Sequence, residues 1–244
     1  MDSLRGEQGN LDFYLQEVAL KSEEPLNTPI LVLSQGFILG ARPTSLHEQG
    51  VEAAQRVSTL TGWPVLSYWP SGVGESEGVF SVDGALKDVN CVIRSVRGLY
   101  PSREVVFVGF DVMGSVFLAA ALSSDEISGV VVVGSDIGPR GLIDPSSLLS
   151  RLSLSSVRLA SGYNLEKLTE DVEKVESKGR NAFGRMPILV IVTTKRYRSR
   201  VDVFATDIVS NKKTEIHSFL TDDVSLRYDP QLYAVLAGWL DRNF

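Results

Sequence analysis

Five runs in the chain are apolar almost throughout: "PILVLS" (29–34), "PVLSYW" (64–69), "EVVFVGF" (104–110), "SGVVVVGS" (128–135) and "MPILVIV" (186–192). Short runs without polar alternation predict strands buried on both faces of a sheet. The stretches between them have another rhythm. A Ser-x-x-Glu capping box at 45–48 opens a predicted helix to about Leu60, with Leu46, Ala54, Val57 and Leu60 inward. Leu86, Val89, Ile93 and Val96 recur at helical spacing within 81–100. Residues 112–122 predict a short small-residue helix that packs closely on a sheet. At 229–242, Asp229 caps a helix, Pro230 takes its first turn, and Leu232, Val235, Leu236, Trp239 and Leu240 form its inner stripe. "LDFYLQEVA" (11–19) alternates as a half-buried strand does, and "KTEIHSFL" (213–220) predicts the last strand.

Strands alternating with helices imply an α/β fold with a mostly parallel sheet, here about seven to eight strands, covered on both faces. Residues 136–186 interrupt the alternation and are helical in pattern at 145–156 and 164–178, which predicts a lid or cap excursion. Residues 1–10 are polar and expected to be flexible, leaving 11–244 as a single domain.

Composition narrows the function classes. The chain has 244 residues, 43% apolar and 22% charged, with a net charge of −6, which argues against nucleic acid as a partner. The basic stretch "TTKRYRSR" (193–200) reads as a solvated loop. One cysteine, Cys91, rules out an internal disulfide and a multi-cysteine metal site. No zinc signature or cofactor motif is present, and no cofactor or metal is expected. The start lacks a signal-peptide core and no apolar run reaches membrane-spanning length, so a cytoplasmic location is expected, with organelle import left open.

The candidate chemistry centres on "GFDVMG" (109–114), at the end of a predicted buried strand. Together with "LVLSQGF" (31–37), "WPSGVGESEG" (69–78) and the stretch from Thr221 to Arg242, it resembles the α/β-hydrolase superfamily, particularly the dienelactone-hydrolase-like and serine-aminopeptidase-like members. The resemblance implies the α/β-hydrolase fold and places a nucleophile elbow at Asp111, an acid near Arg196 and a histidine at Val224. None of these three residues is the usual one. The elbow position calls for a residue with a short polar side chain, and some members use an aspartate nucleophile. Met113 stands where a small residue is usual, with Gly114 one place late. The resemblance also places an oxyanion hole at the backbone N–H groups of Phe37 and Val112, with Gln35 in place of the customary histidine.

The chain has only two histidines. His217 lies in the last predicted strand, roughly 20 Å from the site at about 3.3 Å per residue. His47, in the first turn of the first helix, is the possible stand-in base. Tyr68, Trp69, Met113 and Gln35 are pocket candidates. "GVGESEG" (72–78) lacks the phosphate-loop order, and its acidic residues would repel phosphate, leaving Glu75 and Glu77 to pair with basic side chains. Asp222 and Asp223 read as a surface acidic pair, with cation binding alongside Asp111 as the other option.

The leading expectation is a pseudoenzyme acting as a binding, scaffold or complex-subunit protein, with an unknown protein partner or small-molecule ligand. A divergent hydrolase working through Asp111 and a ligand carrier with a pocket beneath the lid stay open. For Asp111 itself, the expected arrangement is a carboxylate accepting the oxyanion-hole N–H groups and locking the elbow.

Overall fold

The computed structural model describes residues 3–17, 28–37, 43–134, 144–153, 157–177, 186–193, 213–221 and 226–244. In chain order the strands are β1 (Leu4–Gly6), β2 (Gly9–Leu11), β3 (Phe13–Gln16), β4 (Ile30–Ser34), β5 (Val65–Tyr68), β6 (Val105–Phe110), β7 (Gly129–Val133), β8 (Ile188–Thr193) and β9 (Thr214–Phe219). The helices are α1 (Pro43–Thr61), α2 (Val82–Leu99), α3 (Val112–Leu122), α4 (Pro145–Leu152), α5 (Leu165–Ser177) and α6 (Pro230–Asn243).

Seven strands form one sheet in the order β3-β5-β4-β6-β7-β8-β9. Only β3 runs antiparallel, pairing Phe13 with Tyr68. The remaining pairs are parallel, and the register Ser34–Gly109 brings the ends of β4 and β6 level. Each central strand faces two cores. Ile30, Val32 and Phe107 point to the side of α2 and α3, while Leu31, Leu33, Val106 and Val108 point toward α1 and α6. This two-sided burial is why those runs show no polar alternation.

The helices form as their patterns predict, with two differences. α1 starts at Pro43, which places Ser45 inside its first turn. Leu60 is 54% exposed, and Ala53 is buried alongside Ala54 and Val57. α2 is capped by Ser81, whose hydroxyl accepts from the Gly84 N–H at 3.0 Å. α6 is capped by Asp229, which accepts from the Gln231 N–H at 2.8 Å, and Trp239 and Leu240 are fully buried.

Residues 4–11 correct an expectation. They form the antiparallel hairpin β1–β2, in which fully buried Leu4 pairs with Leu11. Asp88 of α2 anchors this hairpin. Its carboxylate accepts from the Glu7 N–H and the Ser71 N–H at 2.8 Å each and from the Ser71 hydroxyl at 3.1 Å. Burial raises its pKa against the opposing effect of those donors.

A carboxyl group with a raised native pKa binds its proton more tightly in the folded state. Its contribution to stability is fully present below the unfolded value of about 3.9 and is lost as pH rises through the native value. Asp88→Asn is therefore expected to reduce the decline of stability with pH above about pH 4. Urea titrations at a series of pH values check this, and identical slopes for the two proteins would refute it.

Candidate functional site

Gly109 ends the buried run of β6 at the point where α3 crosses it. A β-carbon there would lie 2.5 Å from the Gly114 nitrogen and 2.7 Å from the Met113 carbonyl carbon. Gly114, one place late for the usual pattern, is thus the residue whose backbone meets Gly109. Met113 is fully buried in the core.

Asp111 between them has φ 62° and ψ −139° and is the only described non-glycine residue with positive φ. Such a backbone is held only where its surroundings fix it. Here the Asp111 N–H donates to the Val133 carbonyl at 2.8 Å, and the Gly114 N–H donates to the Asp111 carbonyl at 3.0 Å. On the other side Gly36 closes the contact: at φ 66°, a β-carbon on it would lie 2.5 Å from the Phe110 carbonyl oxygen. This sharp strand-to-helix turn has the backbone shape that a nucleophile elbow takes.

The side chain of Asp111 is buried and ion-paired. Its Oδ2 is bonded to Nη2 of Arg151 and lies 3.6 Å from Nη2 of Arg227. Arg151 belongs to α4. Leu148, one turn earlier on the same side of the helix, is buried, and the Arg151 side chain is itself only 14% exposed. Arg227 follows buried Leu226 and lies beneath α6. Its Nη1 donates to both oxygens of Gln35, the backbone carbonyl and Oε1, the latter at 3.1 Å. The Tyr233 hydroxyl donates to the Arg227 carbonyl at 2.9 Å, and the Arg227 guanidinium lies 5.4 Å from the Phe110 ring centre.

Gln35 accepts from Arg227 through both of its oxygens, which ties its loop to the segment ahead of α6. The charge of Asp111 is met by two guanidinium groups that the sequence reading did not foresee. Val112 opens α3, so its N–H is among the donors at that helix end. Phe37 is buried edge-on against Phe80 at 4.7 Å.

Both histidines lie elsewhere. His47 places Nδ1 3.0 Å from each carboxylate oxygen of Asp12 and stacks on Trp69 at 5.2 Å. Burial raises the pKa of Asp12, with His47 opposing that shift. Trp69 follows β5, which β4 separates from β6. His217 lies two residues from the end of β9, so distance along the strand does not remove it from the site. Its place at the sheet edge does, about 14 Å and three strands from β6. There it lies 3.6 Å from Glu215. Neither histidine bonds to Asp111. Arg196, Val224, Asp222 and Asp223 lie outside the described residues.

Of the pocket candidates, Tyr68, Trp69 and Met113 are core residues. Gln35 borders a cleft of about 10 Å³ with Arg227 and Tyr233, room for roughly one water. A hollow of about 650 Å³ lies at the opposite end of the sheet, where Glu104, Ser128, Pro187 and Lys213 precede β6 to β9.

The described helices between β7 and β8, α4 and α5, are packed down. Leu148, Leu152, Leu168 and Val172 are buried in the core. Tyr163 donates to Asp171 at 3.0 Å and accepts from the Val82 N–H at 3.3 Å. Arg158 directs its guanidinium to the carbonyls of Gly74, Ser76 and Gly78. A phosphate loop turns N–H groups inward, whereas this loop presents carbonyls to a cation. Glu77 likewise takes a backbone N–H, that of Asn10, at 2.7 Å.

Solved structures with the same architecture include several described as α/β hydrolases, and this chain has the α/β-hydrolase fold. Est1E of Butyrivibrio proteoclasticus, solved with ferulic acid, is 13% identical over 99% of this chain and 100% of that one, with a TM-score of 0.68. An esterase of Pyrococcus furiosus is 14% identical over 98% and 89%, at 0.66. A monoacylglycerol lipase of Paleococcus ferrophilus is 16% identical over 94% and 98%, at 0.60. No protein-family model and no curated protein sequence matches the chain. No described helix is long and apolar enough to cross a membrane.

Proposed function

We propose that this protein keeps the hydrolase fold but acts by binding, without hydrolytic turnover. One observation carries the reading: the elbow side chain is a carboxylate held by Arg151 and Arg227. An aspartate nucleophile needs a free oxygen lone pair directed at substrate and a base to release the resulting ester. Two guanidinium groups engage the carboxylate, and neither imidazole bonds to it. The buried inner face of α4 and α5 favours a scaffold or subunit role over a carrier with an open cavity.

The test is turnover of short-chain aryl esters, combined with mass spectrometry of Asp111 after exposure to an alkyl halide and an epoxide. The expected result is no turnover above blank and an unmodified Asp111. Robust activity abolished by Asp111→Ala, or an adduct on Asp111, would overturn the reading. Such an outcome would favour the divergent hydrolase, for which the intact elbow backbone at φ 62° is the supporting feature.

A further inference from the structure

The Asp111 carboxylate sits where a ligand's carboxylate would be recognised. Its Oδ2 is approached by two guanidinium groups from different parts of the chain, Arg151 on the lid helix and Arg227 ahead of α6. The side chains of Arg151, Asp111 and Arg227 are only 14%, 5% and 10% exposed. Arginine pairs around a planar carboxylate are a recurrent recognition device, because the guanidinium fork matches the spacing of carboxylate oxygens. Arg227 is aimed by its bonds to Gln35 and by Tyr233, which grips its carbonyl. Arg151 stands on α4, whose Leu148 and Leu152 are buried. Arg227 is therefore positioned independently of the carboxylate, and Arg151 is carried by a helix that packs on the core.

We infer that Arg151 and Arg227 form a carboxylate-binding site whose resident occupant is the chain's own Asp111, and that a ligand carboxylate enters by displacing it. The inference rests on the binding reading above and adds the chemical class of the ligand. Exchange breaks the Asp111–Arg151 ion pair that joins the elbow to α4, so occupancy by an outside carboxylate is coupled to loosening of that helix.

Substitution by glycine gives a direct test. Asp111→Gly removes a CH2–COO⁻ group, very nearly an acetate ion, and glycine tolerates the φ of 62° that would strain alanine. Acetate is then expected to restore stability to the variant. At a tenfold excess over its Kd it should raise the unfolding temperature by about 3–6 °C. Chloride, sulfate and phosphate at matched ionic strength should not reproduce the rise, and Arg151→Gln in the same background should abolish it. An equal response to acetate and chloride, or a gain that survives Arg151→Gln, would overturn the inference. A preference for phosphate would overturn the carboxylate assignment.

Hydrogen exchange on the unmodified protein provides a second readout that needs no variant to fold. Residues 145–152 should exchange faster in acetate than in chloride at equal ionic strength, and equal rates would count against displacement. A failed acetate response leaves the ester and adduct assays unchanged. Activity in those assays would overturn the binding reading whatever acetate does.

Discussion

Arg227→Leu is expected to destabilise the protein by about 3 kcal/mol, the lower end of the range for breaking a buried ion pair. Removing this guanidinium takes one of two cations from Asp111 and strips both Gln35 oxygens of their donor. The carboxylate keeps Arg151, which is why the lower end applies. In a chain of this size the unfolding temperature should fall by roughly 6–12 °C. Arg151→Leu should act more weakly, because Arg151 is the more exposed of the two and α4 can shift.

The mechanism has its own check. Adding Asp111→Asn to Arg227→Leu removes the charge left short of a partner, so the double variant should lose less than the sum of the single variants. Chemical denaturation of the four proteins gives the coupling energy. Additive losses would show that Arg227 acts through packing against Phe110 and not through the carboxylate.

Much of this architecture is legible in the chain because it comes from burial. β4, β6, β7 and β8 have cores on both faces, and continuous apolar runs announce them. α2 and α6 bury one stripe, and spacing announces them. The β1–β2 hairpin escapes for the opposite reason. It is built from strands of three residues, with a single buried apolar pair, Leu4 and Leu11, and its anchor is the distant Asp88. A polar segment fixed by one long-range carboxylate leaves no periodic signal.

The site divides along the same line. The elbow is readable at Asp111 because a glycine, an aromatic and a short polar residue end a buried strand. Its ion pairs are not readable, since they join residues far apart in sequence. Arg151 does leave a trace, a cation at i+3 from Leu148 and i−1 from Leu152, on the inner face of a helix. A charge on an apolar stripe calls for a buried partner. Arg227 leaves less. It precedes the Asp229–Pro230 helix start by two residues, and only the fold places it against the loop carrying Gln35.

Asp111→Ser is expected to produce no working hydrolase, although it supplies the residue that an elbow customarily carries. The backbone would suit it: φ 62° at the residue itself, Val112 opening α3, and Gly36 close against Phe110. A serine hydroxyl is nonetheless a poor nucleophile until a base takes its proton. His47 is committed to Asp12 and Trp69, and His217 lies on the edge strand β9. Among the described residues, the charged groups facing the new hydroxyl would be Arg151 and Arg227, which donate hydrogen bonds and accept no proton. Loss of a triad base alone lowers kcat by a factor on the order of 10⁴–10⁶. Ester turnover by Asp111→Ser should therefore match that of Asp111→Gly, and a serine-directed fluorophosphonate should leave residue 111 unlabelled. Rapid labelling there would show that some group in the site accepts a proton after all, and that the side chain of Asp111 is what silences the fold.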